Sequence, residues 1–538
     1  MLRCQRHEVC SSTRSVGFKG GKLRAAASTM ARALLRRARH EVYSSTRLDL
    51  GLPKRILDIS ASNEIVVLRK TKAEKVQYAT LSYCWGDGVP LRTTQSTIKQ
   101  HYAGIPLASF PATLKDAIVF AKGLGFQYIW IDALCIIQDD SRDWEEQSAA
   151  MTAIYHGCSL NIAIADAPNC NSGIAQGLKD GDAHKTLDSN SQSNAWLNHR
   201  SRKLETRGWV FQETLVSVAS VYITDDGLVW DCCSEVCAQG DSPRPARQWS
   251  HPNDQMTPKA TWADQTPISR LDSASSKNLD VLRIWYEWLI LFSYRDLSNV
   301  NDKLPAMAGL ASRVQSASSA TYAAGLWEED IHLGLIWSAQ ESEGLTRPGN
   351  GAPSWSWASV EGRLDYLWCL SVYCVYPGVV HVEEWLDLKV LAVSVNEVHP
   401  GTFGRVTGGR IEAIGTLQRG TIESDEDRGG FGEGRVGFNF HLEGSGLEYS
   451  LDEPQSRGEI PRPCWLLRIA SVLPTRCRSM KRDGPFISFL IVEETGTQKD
   501  EFRRIGKAFC DASSIFRKDI TVATDLFQDG QRKRITLV

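Results

Sequence analysis

Apolar positions along the chain change period in a regular way between residues 78 and 167. Three short apolar runs, residues 78–83, 128–137 and 159–165, alternate with stretches of helical period. That alternation predicts strands of a parallel sheet separated by helices. The first intervening helix is expected over residues 111–124, where Leu114, Ala117, Ile118 and Ala121 recur at i, i+3, i+4 and i+7 and Gly123 and Gly125 bracket the end. The run at 128–137 is too uniformly apolar to have a wet face, so a central strand is expected there. Asp143 is positioned to cap a helix reaching about residue 155, with Trp144, Gln147, Met151 and Ile154 on one face.

Upstream, residues 53–68 read as two short strands leading into this sheet. Residues 178–201 are rich in Ser, Asn and Asp and read as a surface insertion. A helix is expected over residues 205–217, then a hairpin over 218–232 with Asp226-Gly227 at its turn. Amphipathic helices are expected at 279–293 and 302–320. The motif Pro353-Ser354-Trp355-Ser356-Trp357-Ala358-Ser359 alternates aromatic and small residues, as a strand does, and its tryptophans are expected to serve packing rather than a ligand cage. From residue 388 onward, LKVLAVSV, GRIEAIGTL, CWLLRIA and FISFLIV describe an antiparallel, β-rich module. The expected organisation is a disordered or leader-like segment at 1–50, an α/β domain at 51–240, a linker at 241–266, a mainly helical region at 267–385 and the β-rich module at 386–538.

Composition narrows this picture. With 538 residues, 42% hydrophobic and 23% charged, the chain is a multidomain globular protein. A net charge of −2 gives no electrostatic reason to expect nucleic acid as a partner. No apolar window approaches the roughly 18 residues of a membrane-spanning helix. The 14 cysteines lack the spacing of a disulfide framework, which predicts reduced thiols and a cytoplasmic location. Cys232, Cys233 and Cys237 have no nearby His, a weak zinc signal. The first 50 residues are Arg-rich and nearly free of acid, as a mitochondrial leader is, and carry a near-duplicate (RHEVCSSTR and RHEVYSSTR) that points instead to a duplicated or disordered extension.

Four blocks in order carry a resemblance: Tyr78-Ala79-Thr80-Leu81-Ser82-Tyr83 with Trp85-Gly86; Tyr128-Ile129-Trp130-Ile131-Asp132 with Leu134-Cys135-Ile136 and Gln138-Asp139; Asp143-Trp144, Met151 and Ile154-Tyr155; and Arg207, Trp209, Gln212-Glu213 and Leu215. Together they resemble the fungal heterokaryon incompatibility (HET) domain, and residues 302–362 resemble the downstream region of large proteins of that family. The resemblance implies fungal nonself recognition, a form of innate immunity in which the domain triggers programmed cell death, with self-association of the domain and an incompatibility partner protein. The HET family is also remotely similar to TIR domains, some of which cleave NAD, so a TIR-like parallel sheet flanked by helices is the implied fold. By that comparison Ser82, Tyr83, Trp85 and Gly86 form a substrate-binding strand end and loop. Trp209 and Glu213 reproduce the spacing of a helical Trp and a catalytic Glu. Asp132 joins the substrate-binding set, and NAD is a substrate rather than a cofactor.

The chemistry can be weighed on its own. Residues i and i+4 of a helix share a face, so Trp209 and Glu213 would lie one above the other. A partly buried carboxylate there could hold ribose hydroxyls while a glycosidic bond breaks through a cation-like transition state. In the competing reading Glu213 pairs with Arg207 or caps a backbone group, and Trp209 is core. Cys135, inside an apolar run followed by acids, lacks the electropositive setting of a nucleophilic thiol. Asp132, Asp139, Asp140 and Asp143 cluster near a strand end but match no recognised metal-ligand pattern. Trp85-Gly86-Asp87-Gly88 lacks the spacing of a phosphate-binding loop. Two readings stay open: an NAD glycohydrolase of TIR type, and a non-enzymatic adaptor acting through assembly. No tandem sensing repeats and no nucleotide-binding P-loop accompany either.

Overall fold

The strand–helix alternation of residues 78–167 builds one wide sheet in a computed structural model that describes residues 52–72, 76–86, 91–174, 202–225, 227–232, 235–238, 244–245, 278–340, 345–366, 387–424, 438–440, 448–452, 462–472, 486–511 and 530–538. The readings of residues 1–50, of the insertion at 178–201, of Asp87, Gly88, Asp226 and Cys233, and of linker residues 241–243 and 246–266 lie outside the described residues, whereas Arg244–Pro245 of the expected linker form a short strand. The chain divides into two units, Met1–Thr266 with Arg295–Leu297, and Pro267–Tyr294 with Ser298–Val538.

In the first unit the elements run β1 (Arg55–Asp58), β2 (Ile65–Lys70), β3 (Tyr78–Ser82), α1 (Ile98–Ala103), β4 (Ile105–Pro106), α2 (Ala112–Leu124), β5 (Tyr128–Trp130), α3 (Asp132–Cys135), α4 (Ser141–Gly157), β6 (Leu160–Ile164), α5 (Gly208–Val216), β7 (Ala219–Thr224), β8 (Gly227–Cys232), β9 (Glu235–Ala238) and β10 (Arg244–Pro245). Ten strands join in the order β10-β9-β8-β7-β6-β3-β5-β1-β2-β4. Four of them, β5, β3, β6 and β7, are mutually parallel, and both flanks are antiparallel. Every residue of β3, β6 and β7 is buried, as strands covered on both faces must be. Along the chain β3 comes first, β5 joins on one side, and β6 and β7 join on the other. The winding direction therefore reverses between β3 and β6, the switch point at whose carboxyl end open α/β sheets hold ligands.

Helix α2 buries Leu114, Ala117, Ile118 and Ala121 as the periodicity predicts, and Gly125 ends it in the left-handed region at φ 92°. Two expectations change. The apolar run at 128–137 is not one strand: β5 stops at Trp130, and a helical turn, α3, buries Ala133, Leu134 and Cys135. A continuous apolar run fits a buried helical turn as well as a strand, so its period could not separate them. The strand part of the run, β5, is interior to the sheet as expected, between parallel β3 and antiparallel β1. The cap of α4 is Asp140, whose carboxylate accepts from the amides of Arg142 and Asp143. Asp143 is buried instead: it pairs with Arg55, accepts from Lys54 Nζ at 3.0 Å and from the Ile137 amide at 2.9 Å, and so ties α4 to β1.

In the second unit, α6 (Asn278–Ser293) packs on α7 (Pro305–Ser318), which has Pro at its first turn. The Trp355–Trp357 motif is not a strand. It turns into a short 3-10 helix, Trp357–Ser359, capped by the Ser356 hydroxyl, and both tryptophans are fully buried. Trp285 Nε1 and Trp357 Nε1 both donate to the Gly325 carbonyl, at 3.0 and 2.9 Å, which makes the motif a packing element of this unit.

The β-rich module closes on itself. Val406–Ser424 pairs with Arg462–Val472, that with Phe486–Glu494, that with Glu501–Asp511, and Gln531–Leu537 bridges the last of these back to the first, giving a barrel. Lys389–Glu397 adds antiparallel to the long first strand. Arg504 is fully buried, where its Nε and Nη2 meet both Asp452 oxygens at 3.0 Å, its Nη groups reach the carbonyls of Leu335 and Trp337, and its guanidinium lies 3.3 Å from the Trp337 ring centre.

Candidate functional site

At the carboxyl end of β3 the chain leaves the sheet through Ser82, Tyr83, Cys84, Trp85 and Gly86. The last of these adopts φ +75°, a conformation that favours glycine, and a Cβ there would lie 2.2 Å from that of Asn169. The loop after β6 fixes this exit, because the Cys170 amide donates to the Trp85 carbonyl at 3.3 Å and the Cys170 carbonyl accepts from the Thr113 amide at 2.9 Å. One strand over, β5 delivers Asp132 to the same end of the sheet. Its Oδ2 accepts from Trp85 Nε1 at 3.0 Å and its Oδ1 from the Ala133 amide at 2.7 Å.

Helix α5 brings the fourth block onto this sheet end. Its start is held by the Asp296 strand bridge, with the Gly208 amide donating to the Asp296 carbonyl at 2.7 Å, and by the ion pair between Glu205 and Arg295. A side chain at Gly208 would meet Leu297 at 2.5 Å, so a larger residue there would have to displace the Leu297 side chain. About one and a half turns of helix then place Glu213 beside β3, where its Oε2 accepts from Ser82 Oγ at 2.5 Å. Ser82 Oγ also lies 3.2 Å from Asn161 Oδ1 on β6. Tyr155 of α4 donates its hydroxyl to the Leu81 carbonyl at 3.2 Å and borders Glu213 electrostatically.

Burial dominates the electrostatics. Glu213 is 4% exposed. Desolvation pushes its carboxyl up to about 7 and Asp132 adds to the rise, against the opposing pull of Arg207 and of the Ser82 hydrogen bond. Asp132 is also raised, first by desolvation, with Arg207 and the amide of Ala133 opposing. Arg207 does not pair directly with Glu213. Its Nη1 donates to the Tyr83 carbonyl, and its charge acts on both Glu213 and Asp132. Tyr83 Oη is buried with no hydrogen bond of good geometry, and desolvation followed by Asp132 pushes its phenol well up.

The structure thus brings Ser82, Tyr83, Trp85, Asp132 and Glu213 to one sheet end, with exposed Gly86 at its rim. Trp209, one turn before Glu213, is half-buried and meets Trp144 edge-on, ring centres 6.1 Å apart. Three residues of the cluster were not singled out as site residues from the sequence: Arg207, Tyr155 and Asn161. Arg207 and Tyr155 stood inside the resembling blocks, which was a usable signal. Asn161 had none beyond being a polar residue in an apolar strand. Cys135 is buried and its thiol is pushed up to about 12 by desolvation, the setting of an inert thiol. Asp139 accepts from the Gln95 amide, Asp140 caps α4 and Asp143 pairs with Arg55, so those acids are engaged elsewhere. Among the described residues no group of three or more His, Cys, Asp or Glu is arranged to hold a metal.

Comparison with protein families finds one match over this region: residues 78–213 fit the family described as heterokaryon incompatibility protein (HET). Comparisons with curated proteins and with solved structures gave no match. The matched segment runs from the first residue of β3 to the Glu213 carboxylate and contains every residue of the cluster, so the chain carries a heterokaryon incompatibility (HET) domain whose strand ends and closing helix build this site.

Proposed function

We propose that this HET domain serves fungal nonself recognition by triggering regulated cell death, and that it does so by hydrolysing the nicotinamide–ribose bond of NAD in the manner of catalytic TIR domains. One observation supports the reading above the others: a buried Glu213 carboxyl poised near 7 is hydrogen-bonded to Ser82 at the switch point of a parallel sheet. The strand order β5-β3-β6-β7 is consistent with a TIR-like topology.

In this reading the C1′–N bond breaks and the nicotinamide leaves with the bonding pair, neutralising its ring nitrogen. Water adds to C1′ and releases one proton. Ionised Glu213 faces the cation-like ribose and holds a sugar hydroxyl, Ser82 orients the carboxylate, and Asp132 and Trp85 line the strand-end approach. Self-association of the domain is the activating event. The adaptor reading draws on a different fact, that Glu213 is only 4% exposed and its carboxylate is hydrogen-bonded within the domain.

Expression of the full chain and its Glu213→Gln variant in yeast, following growth and cellular NAD, decides between them. Growth arrest with NAD loss is expected, and the variant should lower turnover by about 10²- to 10⁴-fold. Arrest with NAD unchanged, or NAD loss equal in both, rejects the enzymatic reading in favour of the adaptor.

A further inference from the structure

Ser82 has one hydroxyl proton and two acceptors. Its Oγ lies 2.5 Å from Glu213 Oε2 and 3.2 Å from Asn161 Oδ1. Asn161 is fully buried on β6 and stands in register with Thr80 of β3. Its Oδ1 also accepts from Thr80 Oγ1 at 3.1 Å, whereas its Nδ2 is buried without a hydrogen-bond partner. The amide therefore turns its acceptor, not its donor, toward the hydroxyls of β3.

We propose that Asn161 is a positioning residue of the HET site, competing with Glu213 for the single proton of Ser82 and so selecting between two hydrogen-bond arrangements of the carboxyl. When Glu213 is ionised, Ser82 donates to it and Asn161 Oδ1 keeps only the Thr80 hydroxyl. When Glu213 is neutral, its own O–H donates to Ser82 Oγ, and Ser82 turns its proton to Asn161 Oδ1. The two arrangements differ by one proton exchanged with solvent and one hydroxyl rotation. Asn161 offers the second arrangement an acceptor that the first does not need, so it favours neutral Glu213.

Other groups also face Glu213. Arg207 favours its charge, Asp132 opposes it, and Tyr155 and Cys84 border it. They set the starting value and are untouched by a change at Asn161, which acts through Ser82 alone.

The catalytic consequence rests on the function proposed above, but the titration does not. In the full-length protein, the carboxyl infrared band that disappears in Glu213→Gln reports the protonation of that group. With Asn161→Ala, or the isosteric Asn161→Leu if the first folds poorly, the Glu213 midpoint should fall by about one pH unit. With Ser82→Ala it should rise by a similar amount, because the ionised form loses its donor. The Ser82→Ala/Asn161→Ala double variant should match Ser82→Ala. An unchanged or raised midpoint in both Asn161 variants, or a double variant that differs from Ser82→Ala, overturns the inference. In an NAD-turnover assay the acid limb of the pH profile should move with the infrared midpoint.

Discussion

At Glu213 a single residue type has to be charged for one purpose and neutral for another. Burial raises its carboxyl from about 4.3 in an unfolded chain to about 7 in the fold. Below about pH 4.3 folded and unfolded chains both hold the proton, and the group's contribution to stability is fully present. As pH rises toward 7 the unfolded chain releases its proton first, and stability is lost by an amount on the order of 3 kcal/mol. Glu213→Gln does not titrate, so its melting temperature should exceed that of the wild type by a margin that widens from pH 4.5 to pH 7.5. A constant margin would show that the raised value is wrong. Turnover that needs the carboxylate runs the other way, rising with pH through about 7. The spacing of Trp209 and Glu213 was legible in the sequence. The raised carboxyl was not, because it depends on burial and on Asp132, opposed by Arg207 and Ser82, all brought together from separate stretches of chain.

Elements bring those stretches together, and their ends decide the geometry. Both Asp140 and Asp143 stand at the start of α4, and sequence alone could not tell cap from core, since either carboxylate can reach a first-turn amide. Removing the cap with Asp140→Ala should lower stability by about 1 kcal/mol. Asp143→Ala leaves Arg55 buried without its carboxylate and should lower stability by about 3 to 5 kcal/mol, as for a broken buried ion pair. Denaturant melts of the two variants separate these roles, and equal losses would contradict the assignment. The break between β5 and α3 has the same origin. It puts Asp132 at a strand end facing Trp85 rather than inside a strand, and no apolar count announces where a strand stops.

For the whole molecule, the two units follow different rules of assembly. Crossover helices wind the parallel strands of the first unit, so sequence order and helical period foretold its class. In the second unit the individual strands were legible from their apolar runs, but the closure of Gln531–Leu537 onto Val406–Ser424 was not, because pairing between distant strands leaves no local period. Arg504 holds the barrel wall to the segment around Trp337 and is paired with Asp452. Arg504→Met leaves Asp452 with Arg347 as its ion-pair partner and takes the buried guanidinium from the Leu335 and Trp337 carbonyls, and should cost about 2 to 4 kcal/mol, seen as an earlier calorimetric transition. An unchanged transition would mean the pair is not required.

By itself the sequence determined the α/β class of the first sheet, the β-rich class of the last strands and the match of residues 78–213 to the HET family, because period and block order are local properties that one chain displays directly. Only the tertiary structure decided which of its polar residues meet. The hydrogen bond from Ser82 to Glu213, the turn of Asn161 toward the same hydroxyl and the reach of the Arg207 charge to two carboxylates come from strand order and burial. Those are long-range quantities, set when separate segments are desolvated together.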